Sequence, residues 1–391
     1  MQLFQTSRLF TFLFLLFSLH CALSDSKFTP VEKSRRPVVF IHGHMGGNLV
    51  DDKGKKYWLS PAMGLGFSTP DVKLPIQWQG DRQKKDDLRP TGPIEEVAIL
   101  WGMVGSNIYG NWMQAAKKFP DSQFYTFNYD WRRDNNETAD QFAEFLQKVQ
   151  KDHNDQSVQV VAHSMGGIIT LAVWNENPDL IDKVVFAGVP FRGGLGYLDN
   201  LYLGTPIALN QKILSAEVFF THPTAYAFFP SGLEYENKDL IVDADGKAIQ
   251  VDYYNPTDWK RLGFGPYARQ SKFSTVSPEQ EQHLRNVLAQ SKKFRARMQP
   301  KRETYKQALV ISSKTHPTLS KVRQLTMQDG KKSLYDFDSE LKVEGDGSVT
   351  RASMLPPKPI PYKEFLSKNA HSSLLNDEKV QRAIQEFFAE K

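Results

Sequence analysis

The 391-residue chain contains one cysteine, Cys21, near its N-terminus. A disulfide framework is therefore excluded, as is a structural thiolate metal site. Covalent chemistry in the mature chain must use oxygen or nitrogen. Charge of one sign is scarce too: 49 Lys and Arg face 44 Asp and Glu, a formal balance of +5. That tolerates an anionic surface but does not describe a nucleic-acid protein, and no nucleic-acid partner is expected. Repeats, low-complexity tracts and long single-sign blocks are absent. One apolar run stands out, Leu9 to Leu19, and it is too short to cross a bilayer comfortably as a helix. With Arg8 before it, and Ala22 and Ser24 after it, it has the grammar of a signal peptide cleaved after Ser24. Residues 1–24 are expected to leave a cysteine-free, secreted or exported protein, periplasmic or extracellular, or in a lysosome-like compartment in a eukaryote. The remaining composition is that of a globular protein large enough to build a core without staples, and a monomer is expected.

Along the chain, "RPVVFIHGHMGG" (Arg36 to Gly47) reads as a buried strand entering a glycine-rich turn. Residues 48–94 show no clean period and are expected to form a loop-rich excursion. Phe124 to Phe127 reads as a strand. A helix follows, with Ala139, Phe142, Phe145, Leu146 and Val149 on one face and Thr138 with Gln141 as a capping box. "SVQVVA" is a strand, "MGGIITLAVWNEN" a helix and "DKVVFAGVP" another strand. This alternation predicts a mostly parallel twisted sheet with helices on both faces. Pro190 to Gln307 breaks the rhythm, which predicts an inserted cap at 191–306, including a helix from Ser277 with Pro278 in its first turn. The sheet resumes with "QALVISS". A hairpin is expected around Asp329-Gly330, and a final amphipathic helix carries Val380, Ile384 and Phe387. The expected core is thus divided into 25–190 and 307–391.

Ser164, in "VVAHSMGG", falls between the end of a strand and the start of a helix. That is the position of a nucleophile on a strained elbow, where small neighbours, here Ala162 and Gly166, let strand and helix cross closely. The elbow aims the N–H of Met165 at a substrate carbonyl. A second oxyanion donor is expected from "HGHMGG", at the N–H of His44. The general base should come late in the chain, after the acid. His371 is the only histidine beyond His316. The acid belongs on a loop after the resumed sheet, where Asp336, Asp338 and Asp346 stand. Asp346, between two glycines in "EGDGSVT", suits a sharp inward turn and would orient His371. His163 adjoins the serine, but strand alternation turns it away. His42 and His44 have His-x-His spacing, yet no nearby carboxylate or third histidine completes a metal site. No metal or organic cofactor is expected.

These residues resemble the lecithin–cholesterol acyltransferase family, which includes lysosomal phospholipases and bacterial relatives. "FNYDWRRD", with Tyr129-Asp130-Trp131-Arg132, carries most of the likeness. "HGHMGGNL" is similar to the family's oxyanion loop and "AHSMGG" to its elbow, and "THPT", "GDGSVT" and "HSSLL" are similar to later landmarks. The resemblance implies an α/β-hydrolase fold with Ser164, Asp346 and His371 as nucleophile, acid and base. The implied activity is that of a lipid acyl-ester hydrolase or O-acyltransferase, acting on phospholipid or another lipid ester at a membrane or lipoprotein-like surface. The acyl acceptor would be water or an alcohol. It also implies that Tyr57 and Trp58 belong to a membrane-engaging excursion and that part of the cap covers an acyl-chain groove. His42, Ala162 and Thr350 depart from the family's usual proline, glycine and proline. Asp130, Trp131 and Arg132 are read as a buried structural network. Other readings are a triacylglycerol lipase or a sterol or wax esterase with the same triad, and a non-catalytic lipid-binding protein on the same fold. Asp258 to Lys306 holds twelve Lys and Arg against four Asp and Glu, read as a solvated helical face, with contact to anionic lipid as the alternative.

Overall fold

The computed structural model describes residues 36–97, 106–119, 123–268, 275–325, 334–337 and 341–390. The expected signal peptide, Cys21, Asp338 and the Asp329-Gly330 turn lie outside the described residues.

Six strands form the central sheet: β1 (Val38–Ile41), β2 (Phe124–Phe127), β3 (Val158–His163), β4 (Ile181–Ala187), β5 (Ala308–Ser313) and β6 (Tyr362–Ser367). They lie in the order β6-β5-β4-β3-β1-β2, and every pairing is parallel. Strand alternation sorts the core into two layers. Val39 and Ile41 join one buried cluster, while Val38 and Phe40 join the other. The first cluster includes residues of α2 (Asn135–Asp152), α3 (Met165–Glu176) and α4 (Pro278–Arg297). The second includes Trp112 from α1 (Gly110–Ala116) and Val380, Ile384 and Phe387 from α5 (Glu378–Ala389). Helices therefore cover both faces, which is why the central strands β1 and β3 are buried along their whole length, whereas the edge strand β6 carries Lys363 and Glu364.

The chain runs from β1 outward to β2, then crosses to β3 on the opposite side of β1. The strand order reverses there. In an open α/β sheet that reversal leaves a crevice beyond the carboxyl ends of the two diverging strands. The loops after β1 and β3, which carry His44 and Ser164, open at that point.

Three local expectations change. α2 begins at Asn135, capped by Asp134, whose side chain accepts from the N–H of Asn136 at 2.8 Å. Thr138 thus sits inside the first turn, where its hydroxyl donates to the Asp134 carbonyl at 3.2 Å, rather than capping the helix. The 48–94 excursion is partly ordered as antiparallel strands at Gly47–Val50, Lys56–Trp58 and Arg89–Pro93, each too short to show a period in sequence. α4, placed in the cap by its position in the chain, packs against α2 and α3. Its N-terminus has the Ser277–Gln280 capping box in both directions, at 2.9 and 3.2 Å. On its inner face Arg295 pairs with the buried Glu236 and donates to the Phe191 carbonyl at 2.7 Å. Arg297, also on α4, pairs with Asp140 and Glu176 at 2.8 and 2.7 Å. Lys260, Arg261, Arg285, Lys292, Lys293, Lys301 and Lys306 of this basic stretch are exposed, in keeping with a solvated face, while Arg295 is spent inside the fold.

Candidate active site

Ser164 occupies the junction of β3 and α3 with φ 52° and ψ −119°. A serine held at positive φ is strained, and the surroundings over-determine it. Its N–H donates to the Ala187 carbonyl at 2.8 Å, which ties the elbow to the end of β4. A Cβ on Gly166 would lie 2.6 Å from the His42 carbonyl oxygen and 2.7 Å from that of Ile41. Only glycine lets α3 start this close to the end of β1.

His371 Nε2 lies 2.9 Å from Ser164 Oγ, and His371 Nδ1 lies 2.7 Å from Asp346 Oδ2. Asp346 is fully buried. Its other oxygen accepts from the N–H groups of Ser348 and Val349 at 2.9 and 2.7 Å, and its carbonyl accepts from the N–H of His371 at 2.9 Å. Burial opposes ionisation of this carboxyl, but His371 and the two backbone donors outweigh it and hold Asp346 below the usual carboxylate range. An ionised Asp346 can only accept, so His371 carries its proton on Nδ1 and presents the Nε2 lone pair to the serine. Of the other acid candidates, Asp336 is paired in register with Arg323 in a separate small sheet. Asp338 is outside the described residues.

The glycine loop after β1 is clamped by the family-like signature. Tyr129 Oη donates to the His42 carbonyl at 2.7 Å, and Trp131 Nε1 donates to the Gly47 carbonyl at 3.0 Å. Between them, Asp130 and Asp86 grip the buried Arg132 at 2.7 Å each. This is a network of structural ion pairs that holds the loop from beneath. No acceptor among the described residues takes the N–H of His44 or that of Met165, which leaves both donors available beside the serine. The Met165 side chain is buried, with Sδ accepting from the Thr224 hydroxyl at 2.8 Å. His42 and His44 diverge: His42 stacks on Tyr129 with ring centroids 4.3 Å apart, whereas His44 Nδ1 lies 2.8 Å from Tyr197 Oη. Burial pushes His42 down to about 4 and His44 well below its ordinary value.

A cavity of about 550 Å³ opens over this group, lined by His44, Ser164, Leu195, Tyr197, Phe228, Leu240, Val349 and His371 among others. Tyr197 and Phe228 come from the expected cap and stack with centroids 4.1 Å apart.

The membrane role expected of Trp58 is corrected. Trp58 is 2% exposed, donates to the Met45 carbonyl at 2.9 Å and packs on Trp131. Tyr57 beside it is partly buried against the same core. The most exposed large apolar groups among the described residues are instead Phe67, Leu209 and Leu203. Phe67 and Leu209 lie on segments stitched together by Leu209 N–H to the Gly64 carbonyl at 2.8 Å and by Asn210 to the Met63 carbonyl at 2.9 Å. Leu203 ends a short helix, Leu198–Leu203, whose Asp199 and Asn200 line the cavity. Trp58 was misplaced because an aromatic residue in an irregular stretch reads the same whether it faces a bilayer or a neighbouring tryptophan.

Three other residues had no sequence signal for their place at the site. A Cβ on Gly188, just after β4, would lie 3.0 Å from His371 Nδ1 and 3.1 Å from Asp346 Oδ2. His163 does turn from the serine hydroxyl, but its ring reaches the backbone of His371. Tyr109 lies behind both. The Asn136-Glu137-Thr138 sequon is also closed in the folded chain. Asn136 is buried, its amide nitrogen donating to Asp134 and to the Gln290 carbonyl, so a glycan there would not fit.

A parallel sheet, a strained serine at the turn after its middle strand, and crossing loops at the topological switch define the α/β-hydrolase fold. The chain belongs to the lecithin:cholesterol acyltransferase family, whose sequence model matches residues 83–330. That span contains Ser164 but ends before Asp346 and His371, so the placement of the latter two rests on the geometry above. The chain is 22% identical over 237 residues to an uncharacterized protein of Saccharomyces cerevisiae, covering 60% of this chain and 34% of that protein. It is 35% identical over 85 residues to lecithin-cholesterol acyltransferase-like 4 of Arabidopsis thaliana, covering 20% of this chain and 16% of that one. The chain thus spans about a third of the first relative's length and 16% of the second's. Among solved structures, a chain in the Tle4–Tli4 complex superposes with a TM-score of 0.55 at 15% identity, over 90% of this chain and 98% of that chain, a likeness of fold.

Proposed function

We propose that the protein is a lipid acyl-ester hydrolase or O-acyltransferase working through an acyl-Ser164 intermediate. His371 Nε2 takes the Oγ proton as Oγ adds to the ester carbonyl carbon. The oxyanion is met by the N–H groups of His44 and Met165, preorganised donors whose individual loss typically costs about a hundredfold or more in turnover. Asp346 stabilises the imidazolium without taking its proton. Collapse of the tetrahedral intermediate breaks the bond to the alcohol oxygen, and His371 returns the proton to that leaving group. Water or a second alcohol then adds to the acyl carbon, giving its proton to His371, and Ser164 is released with the proton restored.

The observation that carries the reading is the single line from Ser164 Oγ through His371 to a fully buried Asp346, at 2.9 and 2.7 Å. Family membership and the apolar wall of the cavity favour a lipid acyl group. Phe67, Leu203 and Leu209, near the cavity's short helix, favour delivery from a lipid surface. The test is product analysis on phospholipid vesicles with a long-chain alcohol present. Free fatty acid identifies water as acceptor and a new ester identifies the alcohol. If neither is released from any ester of a lipid panel, while the protein is folded, the proposal fails.

A further inference from the structure

Behind Ser164 a second set of polar groups is closed on itself. Tyr109, at the start of α1, is 2% exposed. Its Oη accepts the N–H of Gly43 at 3.0 Å. The hydroxyl proton must then point onward, to His163 Nδ1 at 2.7 Å. With Nδ1 accepting, a neutral His163 bears its proton on Nε2 and donates it to the His371 carbonyl at 3.0 Å. Burial keeps this imidazole neutral, pushing it down to about 3. Each donor meets one acceptor, so the direction of the whole chain of bonds is settled.

The two ends of this chain matter. Gly43 immediately precedes His44, whose N–H is the assigned oxyanion donor, and His371 is the assigned base. Space is tight between them: a Cβ on Gly43 would stand 2.9 Å from both His163 Nδ1 and Ser164 Cβ. We propose that Tyr109 and His163 are positioning residues, a relay behind the nucleophile that holds the oxyanion loop and the general-base loop in register with each other. The proposal rests on the reading of Ser164 as the nucleophile. Neither residue touches substrate. Their effect is geometric, because a displacement of about 1 Å in a reacting group costs on the order of a hundredfold.

The test measures kcat and KM on a water-soluble p-nitrophenyl ester and the rate of fluorophosphonate labelling of Ser164. The proteins are wild type, Tyr109→Phe, His163→Leu, His163→Gln and the Tyr109→Phe/His163→Leu double variant, each checked for fold by circular dichroism. We expect Tyr109→Phe and His163→Leu each to lower kcat and the labelling rate roughly ten- to a hundredfold, with KM changed by less than about threefold. The double variant should be close to the worse single one, since members of one network are not additive. His163→Gln, which keeps an N–H donor near the Nε2 position, should recover most of the loss. Wild-type kcat and labelling rates in the folded single variants overturn the relay, as do losses that multiply in the double variant. If wild type labels but not at Ser164, the nucleophile assignment itself is overturned.

Discussion

Trp58 and Phe67 stand in the same loop-rich excursion, yet one is 2% exposed and the other 83%. Both are large aromatic residues in a stretch without a hydrophobic period. Trp58 has an acceptor for its N–H, the Met45 carbonyl, and a partner ring in Trp131, so its burial braces the loop that carries His44. Phe67 is left in water on the rim. The same contrast separates the two sides of the site. Behind Ser164, polar groups are closed into directed networks through His371, Asp346, His163 and Tyr109. In front of it, apolar groups are left uncovered. The proposed chemistry requires the first arrangement, and the proposed lipid surface would cover the second.

That contrast can be broken at several points, beginning with the largest effect. Ser164→Ala should fold normally, lose fluorophosphonate labelling and lose kcat by up to about a millionfold, as other triad serines do. Full labelling of that variant would place the nucleophile elsewhere. Acidification should attack the inner side. Burial pushes His42 and His283 down to about 4, His163 and His222 down to about 3, and His44 well below its ordinary value. The unfolded chain binds protons at these five sites below about pH 6.5 while the folded chain refuses them, so stability is full above that pH and falls as pH drops. Burial raises Asp134 and Asp199 to about 6, which works in the opposite sense, since the folded chain binds protons there that the unfolded chain does not until lower pH. Five imidazoles outnumber the two carboxyls, so the net effect is a loss of stability as pH falls from about 6 to 4. Denaturation midpoints measured across that range should fall steeply, and a flat profile would contradict the burial of neutral imidazoles.

Trp58→Ala should cost about 3–5 kcal/mol by leaving a cavity beneath the loop that carries His44, whereas Phe67→Ser should move the melting temperature little. Equal destabilisation by the two would erase the comparison. Gly188→Ala sets a side chain at φ 62° against the Asp346–His371 pair; kcat should fall at least about tenfold through lost orientation. The smallest effect belongs to the rim. Phe67→Ser should lower activity on vesicles a few-fold, through the lost partial burial of one aromatic ring at the surface, while leaving turnover of a soluble ester intact. Equal losses on both substrates would remove the surface-binding role.

Much of the architecture is legible in the amino-acid order because it rests on local pattern. The runs Val38–Ile41 and Val158–His163 are apolar enough to be central strands, and Ala162 and Gly166 around Ser164 mark a close strand–helix crossing. Asp346 announces itself by flanking glycines and His371 by chain order. What stays hidden depends on contacts between distant segments. Tyr109 and His163 are 54 residues apart, and His163 and the backbone of His371 are 208 apart. No spacing rule encodes such meetings. The start of α2 was misplaced because Asp134 and Thr138 are both good capping residues, and the structure uses the earlier one. Trp58 was misread for want of its partner Trp131, which reaches it only when the sheet forms.

The uncovered trio of Phe67, Leu203 and Leu209 also has a practical cost. In dilute buffer free of lipid or detergent, such side chains find one another, and a purified sample should scatter light increasingly with concentration until a nonionic detergent is added near its critical micelle concentration. Handling of the protein, and any count of its subunits by gel filtration, therefore has to be done with micelles present as well as without them.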